Sequence, residues 1–100
     1  MHWSKELDAV ISVCDTKGII IEINDKAIRH FSKYGGGDLI GSNLLDCHPE
    51  PSKTKLKELM QTQGSNTYIV ESGDSKRVIS QKPWYKEGNY AGFIEIQLEL

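Results

Sequence analysis

A pair of strands, a run of short helices and three further strands predict an α+β domain, with one antiparallel sheet and helices covering one of its faces. Three observations carry that prediction. The last segment alternates, with Ile94, Ile96, Leu98 and Leu100 on one side and Glu95, Gln97 and Glu99 on the other, which is the period of a strand. Turn chemistry at Asp15-Thr16-Lys17-Gly18, Gly73-Asp74 and Lys86-Glu87-Gly88-Asn89 cuts the apolar runs into hairpins. Between the two strand regions, apolar residues recur at helical spacing.

Taken in order, residues 1–9 read as a helical cap segment, with Trp3, Leu7 and Val10 forming a short stripe. Val10 to Cys14 and Ile19 to Ile23 read as a hairpin around the turn at Asp15–Gly18, where glycine supplies a positive φ. Asn24 or Asp25 caps the next helix, whose apolar stripe is Ala27, Ile28, Phe31 and Tyr34. Gly35-Gly36-Gly37 stops it, and Asp38 to Leu45 reads as short helical turns. Pro49 and Pro51 suit the first turn of a further helix, which buries Leu56, Leu59 and Met60 and ends at Gly64. Thr67 to Ser72, Lys76 to Lys82 and Tyr90 to Leu100 complete the sheet.

The chain of 100 residues is expected to form a single domain, long enough to bury roughly 60–65% of its unfolded surface without staples. A net charge of -2 gives no reason to expect nucleic acid or an anionic membrane as partner. Lys53, Lys55 and Lys57 fan around a helix axis and read as a solvated face. Cys14 and Cys47 form neither a disulfide framework nor a four-cysteine zinc pattern, so two free thiols in a reducing cytoplasm is the simplest account. No apolar run approaches the ~18 residues of a membrane span, and the N-terminus lacks the apolar core of a signal peptide.

The order of elements, with four short motifs, resembles a PAS domain over nearly the whole chain. Asp15-Thr16-Lys17-Gly18 followed by Ile19-Ile20-Ile21-Glu22-Ile23-Asn24 resembles the family's D-x-x-G-x-I-x-x-x-N opening. Phe31-Ser32-Lys33-Tyr34-Gly35-Gly36 is similar to its F-x-x-x-x-G segment, and Leu39-Ile40-Gly41-Ser42-Asn43 to its L-I-G-x-N/S turn. Gly88-Asn89-Tyr90-Ala91-Gly92 resembles the G-x-x-x-G of its last hairpin. The resemblance implies a five-stranded sheet in the order 2-1-5-4-3 and a cavity between sheet and helices. It also implies a non-enzymatic sensor or interaction module that binds haem, flavin, a small metabolite or nothing. The D-x-T that often follows the family's last strand is not among these residues, which fits either a chain cut there or a stand-alone domain.

Cys47 and His48 stand side by side where the chain bends before Pro49, and they carry the main chemical question. A LOV-type flavin site is disfavoured, because Leu44 follows Asn43 where such domains carry the adduct-forming cysteine, and the flavin-holding Arg and Gln are missing. Haem or a metal through His48, with Cys47 nearby, is the alternative that an imidazole ligand permits. The competing account of His48 is a hydrogen bond closing the loop. A Cys–His catalytic dyad fails on geometry, since adjacent residues on a helix do not face each other. The broader reading is a small-ligand pocket lined by Ile21, Phe31, Tyr34, Leu44, Cys47, His48, Leu56 and Met60, with Ser80 and Gln81 supplying polar groups.

Strands one and two are apolar on both faces. Ile11, Val13, Ile20, Ile69 and Phe93 would then face away from the helices, as a patch that marks an interface. The Trp3–Leu7 stripe would cover it, from the same chain or from a second copy. A homodimer or a neighbouring signalling domain is therefore the expected partner, and a ligand-free dimerisation module is the third alternative.

Overall fold

The computed structural model describes residues 3–100. Strands β1 (Val10–Cys14) and β2 (Ile20–Ile23) are followed by helix α1 (Asp25–His30), 3-10 turns at Ser32–Tyr34, Gly36–Leu39 and Leu44–Cys47, and helix α2 (Ser52–Thr62). Strands β3 (Asn66–Ser72), β4 (Ser75–Lys86) and β5 (Asn89–Glu99) follow. All strand pairings are antiparallel, in the order β2-β1-β5-β4-β3. Residues 3–6 form a turn where a helical cap was expected, and residues 1 and 2 of that segment lie outside the described residues. Trp3 and Leu7 are exposed.

Local chemistry sets each junction. In the first turn Asp15 Oδ1 accepts from the backbone N–H groups of Lys17 (2.9 Å) and Ile19 (3.0 Å), and Gly18 takes φ 86°. The β4–β5 hairpin closes through Glu87 and Gly88, both at positive φ, which matches the twist of the strands. Gly92 (φ 145°) cannot carry a side chain, because a Cβ there would collide with the Cys14 carbonyl oxygen. The Trp84 indole N–H donates to that same oxygen at 3.0 Å, locking the β4–β5 hairpin onto β1.

Asn24 joins three parts of the chain. Its side-chain oxygen accepts from Ala27 N–H (3.0 Å), capping α1, and from Ile11 N–H (3.1 Å) on β1. Its amide donates to the carbonyls of Ser4 (3.0 Å), Leu7 (3.4 Å) and Ala9 (2.8 Å), pinning the N-terminal segment. The residue is 2% exposed, so water cannot replace these bonds.

The pairing register divides the sheet into two unlike faces. On the helix side run the rows Ser12–Glu95–Gln81–Asn66 and Val10–Gln97–Ile79–Tyr68. On the opposite side run Ile11–Ile96–Ser80–Thr67, Val13–Ile94–Lys82 and Leu98–Val78–Ile69. The isoleucines of β5 therefore turn away from the helices, and its polar residues turn toward them. Helix-side packing falls into two clusters. Val10, Ile20, Ile23 and Ala27 gather with Phe31 and Leu39, while Cys14, Leu56, Leu59 and Phe93 gather with Met60 and Tyr90. Leu44 packs against both.

Two expected interface residues are corrected by this arrangement. A register shift between Val13 and Cys14 places Ile20 opposite Cys14 and Glu22 opposite Val13. The bulge breaks the period of two, so Ile20 and Ile23 both point inward and Ile21 is left 46% exposed. Phe93 is 2% exposed, because it shares the inward parity of Glu95 and meets Leu56 and Leu59 of α2. Ile11 belongs to the outer face by register but is buried.

Replacing Asn24 by alanine removes the cap and leaves buried carbonyls and an N–H unpaired, which costs about 3 kcal/mol or more. The melting temperature is expected to fall by about 12–20 °C in a circular dichroism melt. Asn24→Asp, which keeps the acceptor and loses the donors, should fall in between.

Candidate functional site

The gap between the two apolar clusters is a cavity of about 540 Å³. Its floor is the helix side of the sheet, with Ser12, Ile20, Ile23 and Glu95. Phe31, Tyr34 and Leu39 form one wall, and Leu44, Asp46, Cys47 and His48 form the other. Tyr34 is 74% exposed and Cys47 is exposed, so the mouth opens to solvent between them. A second recess of about 390 Å³ lies on the other side of His48, against Lys55, Asn66, Tyr68 and Gln81.

The wall carrying Cys47 and His48 is fixed by backbone bonds to the first hairpin. Ile20 N–H donates to Ser42 O (2.9 Å), Gly41 N–H to Ile20 O (2.8 Å) and Leu44 N–H to Gly18 O (2.7 Å). Asn43 Oδ1 then accepts from Leu45 N–H at 2.9 Å and starts the 3-10 turn. The family-like Gly41-Ser42-Asn43 segment thus acts as a short extra strand that aims the next turn over the sheet. His48 Nδ1 lies 2.9 Å from the Leu44 carbonyl, which only accepts, so this nitrogen carries the proton. In the neutral tautomer that this bond selects, Nε2 is the acceptor. The Cys47 thiol contacts the Asn43 carbonyl at 3.6 Å, and among the described residues no hydrogen bond joins Cys47 to His48.

Glu95 is the polar centre of the floor. Gln97 Nε2 donates to Oε1 at 3.0 Å and Gln81 Nε2 to Oε2 at 3.4 Å. Arg77 Nη1 in turn donates to Gln97 Oε1 at 2.7 Å and lies 3.5 Å from His30 Nε2. Burial, and then the Arg77 guanidinium, hold His30 below the usual imidazole range. Burial pushes the Cys14 thiol up, deep in the second cluster. Among the described residues no three His, Cys, Asp or Glu side chains converge as a metal site.

The structure brings Phe31, Tyr34, Leu44, Cys47 and His48 together at the cavity, while Gln81 lines the neighbouring recess and reaches the cavity only through its bond to Glu95. It separates the other expected lining residues from it. Ile21 points outward because of the bulge, and Ser80 lies on the outer face bonded to Thr67. Leu56 and Met60 belong to the second cluster, with only a void of about 10 Å³ beside Leu56. Sequence reasoning missed Ser12, Ile20, Ile23, Leu39, Asp46 and Glu95. For Glu95 the signal was present, since Gln81, Glu95 and Gln97 share one parity in neighbouring strands, but alternation alone does not say which parity meets the helices.

Native alkylation with iodoacetamide is expected to label Cys47 fully while Cys14 stays unmodified until denaturant is added, as read by intact and peptide mass spectrometry.

Residues 4–88 match the family described as PAS fold. Among solved structures, the chain is similar to the Aer2 receptor from Vibrio cholerae, titled a dual PAS-heme oxygen sensor. The TM-score is 0.69 at 13% identity, covering 92% of this chain and 94% of that one. It is also similar to the PAS domain of the histidine kinase ThkA, with TM-score 0.70 at 18% identity, covering 91% and 98%. A sensory box sensor histidine kinase from Vibrio cholerae gives TM-score 0.66 at 17% identity, covering 95% and 83%. At these identities the likeness is one of fold. No curated protein sequence matches the chain.

Proposed function

The chain belongs to the PAS fold family, and from that premise we propose that it is a non-enzymatic, cytoplasmic sensor domain whose stimulus is a small molecule held between Phe31 and Glu95. The observation that carries this reading is the cavity. At about 540 Å³ it falls within the size range of small-molecule sites, and a supported carboxylate lies on its floor. A domain built only to pair would have no use for an opening between its two apolar clusters. Catalysis is not favoured, because Cys47 and His48 engage different carbonyls.

A haem reading would rest on His48, whose Nε2 is free to act as a ligand. The rest of the lining does not fit a porphyrin with two propionates. It holds Asp46 and Glu95 and no lysine or arginine. Haemin titration is expected to give no Soret change that depends on His48.

Thermal-shift screening of small metabolites, followed by native mass spectrometry, tests the sensor reading. A ligand at a hundred times its Kd should raise the melting temperature by about 10–20 °C. Ser12→Trp, which fills the cavity from its floor, should abolish that rise. A Ser12→Trp protein that responds as strongly as the parent would place the ligand elsewhere.

Output would pass through the helix-free face, where Ile69 is 57% exposed and Leu98, Ile94, Ile96 and Val78 form an apolar surface. A second copy or a neighbouring signalling domain would cover it. Ile69→Glu and Leu98→Glu are expected to lower the mass seen by light scattering while leaving the melting temperature within about 2 °C, since exposed sites change stability little. Phe93 does not serve for this test, because a buried charge there would unfold the domain.

A further inference from the structure

Resting on the cavity reading above, we infer that the ligand class is a small organic cation, an ammonium group carried on an apolar or aromatic body. The charge inventory of the cavity leads there. Its carboxylates are Asp46 and Glu95, with the His48 ring held through Nδ1 on the Leu44 carbonyl and Tyr34 and Cys47 at the mouth. No lysine or arginine lines it. Among the described residues, no cationic side chain lies within ion-pair distance of either carboxylate.

Glu95 is the decisive group. It sits half-buried on the floor, and both oxygens are held by neutral amides, from Gln97 and Gln81. Amides fix the orientation of a carboxylate without neutralising it. The guanidinium of Arg77 reaches it only through Gln97. Each Glu95 oxygen keeps acceptor capacity beyond its one amide bond, and Glu95 lines the cavity. An ammonium group there gains charge-assisted hydrogen bonds in a setting that water screens poorly. A carboxylate or phosphate would meet two like charges, and a neutral guest would leave the half-buried charge uncompensated.

The remaining walls suit the body of such a ligand. Ile20, Ile23, Leu39 and Leu44 supply apolar surface, and the rings of Phe31 and Tyr34 offer faces on which a cation or an aromatic ring can rest. The neighbouring recess differs in kind, with Lys55 and the amides of Asn66 and Gln81, so the preference for a cation is specific to the first cavity.

Three probes of one shape test this. 2-Phenylethylamine, 2-phenylethanol and phenylacetate are titrated into the ¹⁵N-labelled full chain, and shifts are followed at Ser12, Phe31 and Glu95. The amine is expected to move these resonances at concentrations about tenfold or more below the alcohol and the acid. Glu95→Gln, which keeps the side-chain shape, should weaken the amine about tenfold and erase its advantage over the alcohol. Asp46→Asn, at an exposed position, should weaken it less and serves as the variant least able to disturb the fold. If the acid or the alcohol binds at these residues as tightly as the amine, the cation class is overturned and the cavity reading stands. If none of the three moves a cavity resonance at millimolar concentration while screening finds only uncharged or anionic cavity ligands, only the cation class falls. If nothing binds there at all, both fall.

Discussion

The architecture depends on one buried amide. Asn24 stands where β2 gives way to α1, and its side chain satisfies backbone groups from β1, from α1 and from the N-terminal segment. The same residue completes the ladder with its own N–H, which donates to Ile11 O at 3.1 Å. A polar residue buried this deeply is stabilising only when every donor and acceptor is used, and here each one is. The consequence reaches the site. With the start of α1 fixed on the edge of the sheet, Phe31 leaves its end toward Leu39 and Leu44, and one wall of the cavity is set before any ligand arrives.

The second constraint is the unusual polarity of the sheet. A helix-covered face ordinarily carries the apolar half of each strand. In this chain the covered face of β4 and β5 carries Arg77, Gln81, Glu95 and Gln97, and the uncovered face carries Ile94, Ile96 and Leu98. The helices can close over such a floor only at its ends, where Val10, Ile20 and Ile23 on one side and Cys14 and Phe93 on the other are apolar. The cavity is the space left between those two contacts, so the polar row and the opening have a single cause. The apolar outer face follows from the same register, because alternation cannot turn a carboxylate inward without turning its isoleucine neighbours outward.

Much of the fold was legible in the sequence. Turn residues with positive φ, the Asn24 cap and the alternation of β5 each act locally, and local chemistry survives into the folded chain. The strand order 2-1-5-4-3 came from family resemblance, since no local signal orders strands in a sheet. Site residues were less legible, and the failures have named causes. The bulge at Cys14 exchanged Ile20 for Ile21, because a period-of-two reading has no place for an extra residue. Ser80 and Phe93 were assigned to the wrong faces, because pairing partners and not the strand itself decide which parity meets the helices. Glu95 was placed on the side opposite Ile94 and Ile96, and alternation alone did not say that this side meets the helices.

The geometry also bears on how occupancy of the cavity would be felt outside it. Glu95 lies between Ile94 and Ile96 in the same strand, and these two side chains emerge on the outer face beside Val13 and Ile11. The strand is not free to absorb a displacement locally. Two residues before Ile94, Gly92 is packed against the Cys14 carbonyl too tightly for any side chain, and Trp84 holds that carbonyl from the other hairpin strand. Beyond Ile96, Gln97 is bonded both to Glu95 and to Arg77. A group that draws Glu95 toward the cavity must therefore break the Gln81 and Gln97 contacts or shift β5 between these anchors. The Gln81 contact, at 3.4 Å, is the weaker of the two, so release of Gln81 is the lower-cost response. Gln81 also lines the neighbouring recess with His48, and its freed amide would change that recess before the backbone of β5 moved.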